Sequence, residues 1–267
     1  MDFSGKIVVI TGASSGIGKE TAFAFAARGA ELILIGRDVE RLQEVQTEVM
    51  KAGAKTAVFV KCDVSNYGQV QKTCEAIKEK FVKIDVLVNN AGFGIYRAFA
   101  EQEIEELERL MKTNYFGTAY FTKELLAAIP SGGHIVNVSS MAGKLSFPNY
   151  SAYCASKFAV AAFTESIYHE LLGKGIGVHL ICPIGTKTHF FDNESFDNHP
   201  HRLHYDRMME PSEIARLILE AIEKNKIEVV PTLREKLAVI LKAVAPSIYH
   251  KIMQTRYVKR QIEKRAG

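Results

Sequence analysis

The sequence predicts one doubly wound α/β domain, a seven-stranded parallel sheet with helices on both faces. Short, largely apolar runs of strand type alternate with longer amphipathic stretches of helical period, and strands buried on both faces read as continuous apolar runs. The first run is followed by Thr11-Gly12-Ala13-Ser14-Ser15-Gly16-Ile17-Gly18 and then an Ala- and Phe-rich helix, which places a tight glycine turn between a strand and a helix start. A chain of 267 residues, 47% hydrophobic and 24% charged, suits a single large domain with a full core.

The first strand is residues 6–10 (KIVVI). In the turn after it, glycines let the backbone approach a pyrophosphate, whose charge is favoured by the free N–H groups of the helix start. Gly12, Ser14, Ser15, Gly16, Ile17 and Gly18 are the candidate residues there. Residues 31–35 (ELILI) form the second strand, ending at Gly36-Arg37. In dinucleotide folds an acid at this strand end bonds the ribose 2′-hydroxyl, whereas an Arg accommodates a 2′-phosphate. Gly36 stands where the acid would, and the fork of Arg37 follows at once, which favours NADP over NAD. The alternative is that Arg37 pairs with Asp38 or Glu40.

A helix over 39–50 leads to the third strand, 56–60, which runs into Cys62-Asp63-Val64. A helix over 67–81 leads to the fourth, 85–88, which ends in Asn89-Asn90-Ala91-Gly92. Side-chain amides at a strand end satisfy the backbone of neighbouring strands. Residues 104–128 are predicted as one long helical region with Asn114 inside it, an amide that mildly disfavours a helix interior.

The chemistry concentrates in residues 134–157. Ile135-Val136-Asn137-Val138 is a fifth strand; the chain breaks at Ser139-Ser140, crosses a loop and enters a helix carrying Tyr153 and Lys157. Four apart, these two share a helix face, so the ammonium sits beside the phenol and favours its ionised form. A free Tyr titrates near ~10, but one beside a fixed cation trades a proton with a substrate oxygen at neutral pH. Ser140, at the strand's C-terminal end, is placed to hydrogen-bond that oxygen.

Tyr-x-x-x-Lys alone is commonplace on amphipathic helices. With a Ser thirteen residues before the Tyr, the T-G-x-x-x-G-x-G turn and the N-N-A-G string, residues 6 to about 230 resemble the short-chain dehydrogenase/reductase family. The resemblance implies a Rossmann-type sheet and an NADP-dependent enzyme interconverting an alcohol and a carbonyl. It implies Ser140, Tyr153 and Lys157 as catalytic residues, with Lys157 also binding the nicotinamide ribose, and Asn114 as a fourth that holds a water linking Lys157 to solvent. It implies Asp63 with Val64 at the adenine, and Asn90, Ala91 and Gly92 at the cofactor ribose. Pro183 opens the loop after the sixth strand (177–182), where Thr186 or Thr188 meets the nicotinamide carboxamide, although Ile184 replaces the family's glycine. Ser15 stands where some NADP-using relatives carry a basic residue. A homodimer or homotetramer through the long helices is implied as well.

Residues 189–210 are long, polar and irregular, as lids over sites commonly are. Phe93, Phe147 and Phe190 are expected to wall an apolar pocket for a hydrophobic substrate. His199, His201 and His204 match no metal spacing, and no metal is expected. Ser212 is expected to cap a helix running to Asn225, with Glu213 in its first turn and a seventh strand at 227–230. Residues 1–232 then form the NADP-binding catalytic domain, and 233–267 a basic amphipathic helical extension of it. Between Leu233 and Arg265 nine Lys/Arg face two acids, leaving that stretch at +7 and the rest at −3. The extension either packs on the protein's own surface or an oligomer partner, or touches a membrane surface.

No nucleic-acid signature accompanies the basic stretch. The Asn-x-Ser triplets at Asn137, Asn149 and Asn193 read as chance matches. An N-terminus without a basic and then apolar leader, four scattered cysteines and no apolar run of ~18 residues predict a cytoplasmic enzyme. Two rival functions are a reductase of 3-oxoacyl groups on an acidic carrier protein, against which the missing terminal glycine pair argues, and a non-catalytic NADP-binding regulator, which would need none of Ser140, Tyr153 and Lys157.

Overall fold

Seven apolar runs become the strands β1 (Ile7–Thr11), β2 (Glu31–Gly36), β3 (Thr56–Lys61), β4 (Val86–Asn89), β5 (His134–Val138), β6 (Gly177–Ile181) and β7 (Glu228–Val229) of one parallel sheet. The computed structural model describes residues 2–192, 194–196 and 208–255. The strand order is β3-β2-β1-β4-β5-β6-β7, so the winding reverses between β1 and β4. A crevice for ligands opens at such a switch point, beyond the C-terminal strand ends.

Alternation along each strand builds two cores. Val8, Ile10, Leu32, Leu34 and Val88 face α1 (Gly16–Ala26), α2 (Val39–Lys51) and α7 (Pro211–Glu223), meeting Phe25, Leu42, Val45 and Ile218. Val9, Ile33, Ile35, Leu87 and Ile135 face α3 (Tyr67–Lys80), α5 (Gly117–Leu125) and α6 (Ser151–Leu171), meeting Cys74, Ile77, Phe121 and Ile167. Together the two cores anchor the strand ends on which the site is built.

Residues 104–128 are helical throughout, in successive segments: α4 (Ile104–Leu110) opens into a π-helical turn, Met111–Phe116, before α5, and a 3₁₀ turn, Leu126–Ala128, follows. Asn114 sits in the widened turn because its amide is bonded outside the helix, as described below. The cap of α7 is Glu210 and not Ser212. Pro211, with its fixed φ and no N–H to satisfy, takes the first helical position, and Glu210 and Glu213 close a reciprocal capping box around it. The seventh strand shrinks to Glu228–Val229.

The chain divides into two compact units, residues 1–229 and 230–267. The second contains α8 (Leu233–Val244) and a helix over 246–255. Among the described residues no helix is long and apolar enough to cross a membrane.

At the sheet's N-terminal end His134 Nδ1 lies 3.0 Å from His179 Nε2, and His179 Nδ1 donates to the Lys226 carbonyl at 2.7 Å. With its other nitrogen committed as the donor, neutral His179 accepts from His134. Burial, with help from His179 and Lys6, pushes His134 down to about 4, and burial also lowers His179. The folded state therefore holds fewer protons than the unfolded one, so this contribution is complete above 6.5 and is lost as pH falls through about 4. Thermal midpoints should drop across that window in the wild type and drop less steeply in His134→Gln; equal slopes would assign the acid sensitivity to other groups.

Candidate active site

At the switch point, one hydroxyl and one amide join β1 to β4. Thr11 Oγ1 accepts from the N–H groups of Asn90 (3.0 Å) and Ala91 (3.1 Å). Asn90 Nδ2 donates back to the carbonyls of Thr11 (3.0 Å) and Gly12 (3.2 Å). The turn between them needs its glycines: Gly12 and Gly16 have φ of +65° and +54°, and a Cβ on Gly18 would overlap the Gly12 carbonyl. Ser15 stands at the α1 N-cap without capping through its side chain, and no acid occupies the first turn, so among the described residues these N–H groups have no side-chain acceptor. Beside them a cleft of about 270 Å³ is lined by Ser14, Ser15, Gly16, Lys19, Arg41, Glu44, Val45 and His189. A turn closed to any side chain and open to an anion fits a dinucleotide pyrophosphate.

Arg37 is exposed at the end of β2. The ion pair it could have made goes to Arg41, whose Nε lies 3.3 Å from Asp38 Oδ2 while Asp38 caps α2 through the Arg41 N–H. Arg37 has no ion-pair partner among the described residues. Asp63 uses one carboxylate oxygen on the N–H and hydroxyl of Ser65, and Val64 is buried against Gly117.

The end of β5 carries the reacting groups. Ser140 Oγ accepts from the Ala142 N–H at 3.0 Å, which leaves its own proton available to the Tyr153 phenol, whose pKa it lowers. Ser139 Oγ donates to the Lys157 carbonyl at 2.8 Å, pinning α6 to the strand end. Tyr153 and Lys157 are both buried. Lys157 Nζ donates to the Val138 carbonyl at 3.0 Å and lies 6.0 Å from the centre of the Tyr153 ring. Burial pushes the phenol well above its usual range, with the Ser140 hydrogen bond opposing, and pushes Lys157 down to about 8. Burial thus sets the direction of the shift at the phenol, which four-residue spacing alone does not show.

Asn114 joins this group from the π-helical turn. Its Oδ1 accepts from the Phe93 N–H, and its Nδ2 donates to the Phe93 carbonyl and Ser156 Oγ, each at 3.0 Å. A Cβ on Gly92 would stand 3.0 Å from Asn114 Oδ1 and 3.3 Å from Lys157 Nζ, so the three residues converge. Sequence reasoning missed a buried ladder just below. Asn89 Nδ2 donates to Asn137 Oδ1 (2.9 Å) and Thr122 Oγ1 (3.0 Å), and Asn137 Nδ2 donates to Thr164 Oγ1 (3.0 Å). An Asn in the middle of the apolar run Ile135-Val136-Asn137-Val138 was the available signal.

Phe93, Phe147 and Phe190 do gather, in one apolar cluster with Tyr153, Ile95, Leu110 and Ala142. The Phe190 ring meets Tyr153 edge-on at 5.4 Å and fills the space a side chain on Gly94 would need. Tyr150 and Phe196 extend this wall, 6.0 Å apart. Thr188 caps the short turn His189–Phe191 and lies against Gly16, whereas Thr186 is buried and donates to the Ile184 carbonyl at 2.9 Å. Ile184 has no left-handed φ, so a branched residue fits where the family has glycine; the Pro183 carbonyl accepts from the Met141 N–H at 2.9 Å. His199, His201 and His204 lie outside the described residues, as does most of the expected substrate loop.

Residues 6–198 match the short chain dehydrogenase family. The chain belongs to the short-chain dehydrogenase/reductase family. A dehydrogenase/reductase SDR family member 7B from Danio rerio is 36% identical over 263 residues, covering 94% of this chain and 85% of the relative. A 3beta-hydroxysteroid dehydrogenase from Mediterraneibacter gnavus is 40% identical over 197 residues, covering 73% and 71%. Among solved structures, a short chain dehydrogenase/reductase from Burkholderia phymatum in complex with NAD has a TM-score of 0.82 at 30% identity, covering 93% of this chain and 96% of that one. The protein is an oxidoreductase of the short-chain dehydrogenase/reductase family, whose members use NAD or NADP and act on small molecules. Thr11→Val keeps the shape at the switch point but leaves two N–H groups without an acceptor, so urea unfolding should show a loss of about 2–4 kcal/mol; no measurable loss would mean that β1 and β4 do not depend on the hydroxyl.

Proposed function

We propose that the protein interconverts an alcohol and its carbonyl on a hydrophobic substrate with NADP. The observation that carries this reading is the burial of Tyr153 and Lys157 together at the end of β5, with Tyr153 inside an apolar cluster and Ser140 acting on its phenol. The glycine turn, Asp63 with Val64, Asn90 to Gly92, and Pro183 with Thr186 and Thr188 would hold the dinucleotide, and the exposed Arg37, without an ion-pair partner among the described residues, its 2′-phosphate. When bound, the nicotinamide supplies or accepts the hydride.

In reduction Tyr153 donates its proton to the carbonyl oxygen, a role suited to a phenol that burial keeps protonated. Ser140 hydrogen-bonds the same oxygen and orients it. Lys157, lowered to about 8, is still mainly cationic at neutral pH and favours the phenolate that forms. Asn114 fixes the Phe93 backbone and, through Ser156, the helix that carries both residues. Phe93, Phe147 and Phe190 exclude water from the reacting oxygen and favour an apolar substrate, in keeping with a relative named for a hydroxysteroid.

The rings of Tyr115, Phe116, Tyr120 and Phe163 cluster, with Phe116 exposed, which supports a homodimer or homotetramer through this face. The four buried cysteines, all free, fit a cytoplasmic placement.

The test follows absorbance of the reduced nicotinamide while ketones graded from small and polar to long and apolar are added. Turnover should rise with apolar length, and Tyr153→Phe should lower kcat by ~10²–10⁴-fold while cofactor binding persists; wild-type turnover in that variant would overturn the mechanism. Arg37→Gln should raise the KM for NADPH about tenfold or more and leave that for NADH unchanged. An equal effect on both cofactors would remove Arg37 from the 2′-phosphate.

A further inference from the structure

In a helix lying on a globular protein, the exposed face is ordinarily the charged one. α8 reverses this. Leu233, Leu237, Ile240 and Val244 follow the spacing of a single helix face and are 71%, 56%, 56% and 80% exposed. Glu235, Val239 and Lys242, at helix positions turned away from that stripe, are only partly exposed. Arg234 and Lys236, both exposed, flank the stripe on its two sides at 100° per residue. In the helix over 246–255, Ile248 and Ile252 are again exposed four residues apart, 57% and 38%, with Lys251 exposed beside them.

We propose that this face docks on an anionic lipid bilayer, with the Leu/Ile/Val stripe entering the interface and the flanking cations meeting the headgroups. The proposal is independent of the catalytic reading. Charge decides the occupant. The sequence from Leu233 to Arg265 carries +7 against −3 for the rest of the chain. A twofold contact between copies would set the same patch of each against the other, bringing the exposed Arg234, Lys236 and Lys251 of one toward those of its copy. A bilayer with acidic headgroups offers the opposite charge over an extended plane. The stripe is also purely aliphatic, whereas the centres of protein interfaces are enriched in aromatic residues, Met and Arg. An apolar face bordered by Lys and Arg is the pattern of a helix lying in the membrane interface.

The full chain is sedimented with vesicles of phosphatidylcholine alone and with phosphatidylserine added. It should pellet with the acidic vesicles, much less with the neutral ones, and less as salt rises. Leu237→Gln/Ile240→Gln should weaken pelleting about tenfold or more, since binding scales with the apolar area inserted. Arg234→Gln/Lys236→Gln should weaken it selectively at low salt. Far-UV circular dichroism and the unfolding midpoint of both variants should match the wild type, because the altered residues are exposed. Failure to pellet with acidic vesicles, or pelleting unchanged in the Leu237→Gln/Ile240→Gln variant, overturns the proposal. So does light scattering that shows the chain's mass halved by that variant, which would make the face a contact between copies.

Discussion

The site depends on how β1 is held to β4 where the sheet reverses its winding. Parallel strands diverge there, and the backbone beyond their ends has no ladder partner. Thr11 and Asn90 replace the ladder with four hydrogen bonds between a hydroxyl, an amide and the crossing backbone. The turn can then keep glycine at 12, 16 and 18 and still hold its shape, because Asn90 bonds the carbonyls of Thr11 and Gly12. One step further into the sheet, Asn89 and Asn137 tie β4 to β5 and reach α5 and α6 through Thr122 and Thr164. Polar groups of this kind are costly to bury unless they are paired, and each pairing here fixes the position of an element that carries part of the site.

The reacting groups hang from that frame under opposing electrostatic demands. Tyr153 and Lys157 are both buried, and burial acts against the charged form of each, raising one and lowering the other. Their values are driven apart, so that the phenol holds its proton the more tightly and the ammonium becomes the more acidic of the two. Ser140 adjusts this balance because its oxygen is occupied by the Ala142 N–H and its proton is directed to the phenol. Asn114 uses its whole amide on Phe93 and Ser156, so the same residue that closes the site's wall also sets the helix beneath the phenol.

Aromatic packing joins the substrate side to the cofactor side. Thr188 rests on Gly16 of the glycine turn, and two residues on Phe190 rests on Gly94 and Tyr153. Small residues at 16 and 94 make room for these contacts, so one short turn spans both halves of the site. α8 follows a different logic, with Leu233, Leu237, Ile240 and Val244 exposed and Arg234 and Lys236 at their border.

Periodicity and turn chemistry determined the strands, most of the helices and the glycine turn from sequence alone, because strands buried on both faces and a turn needing positive φ leave few other residue choices. Ser140, Tyr153 and Lys157 were legible through their spacing, and Asn90 through its string. Other features depended on which of several available partners a group takes in the folded chain. Asp38 pairs with Arg41 and leaves Arg37 open; Asn114 widens its helix to bond Phe93; Pro211 moves a helix start away from Ser212. The sign of the shift at Tyr153 belongs to this class too, since desolvation is a property of everything packed around the phenol. Local pattern determines which groups a strand end presents; only tertiary packing decides how dry they are and which partners remain unoccupied.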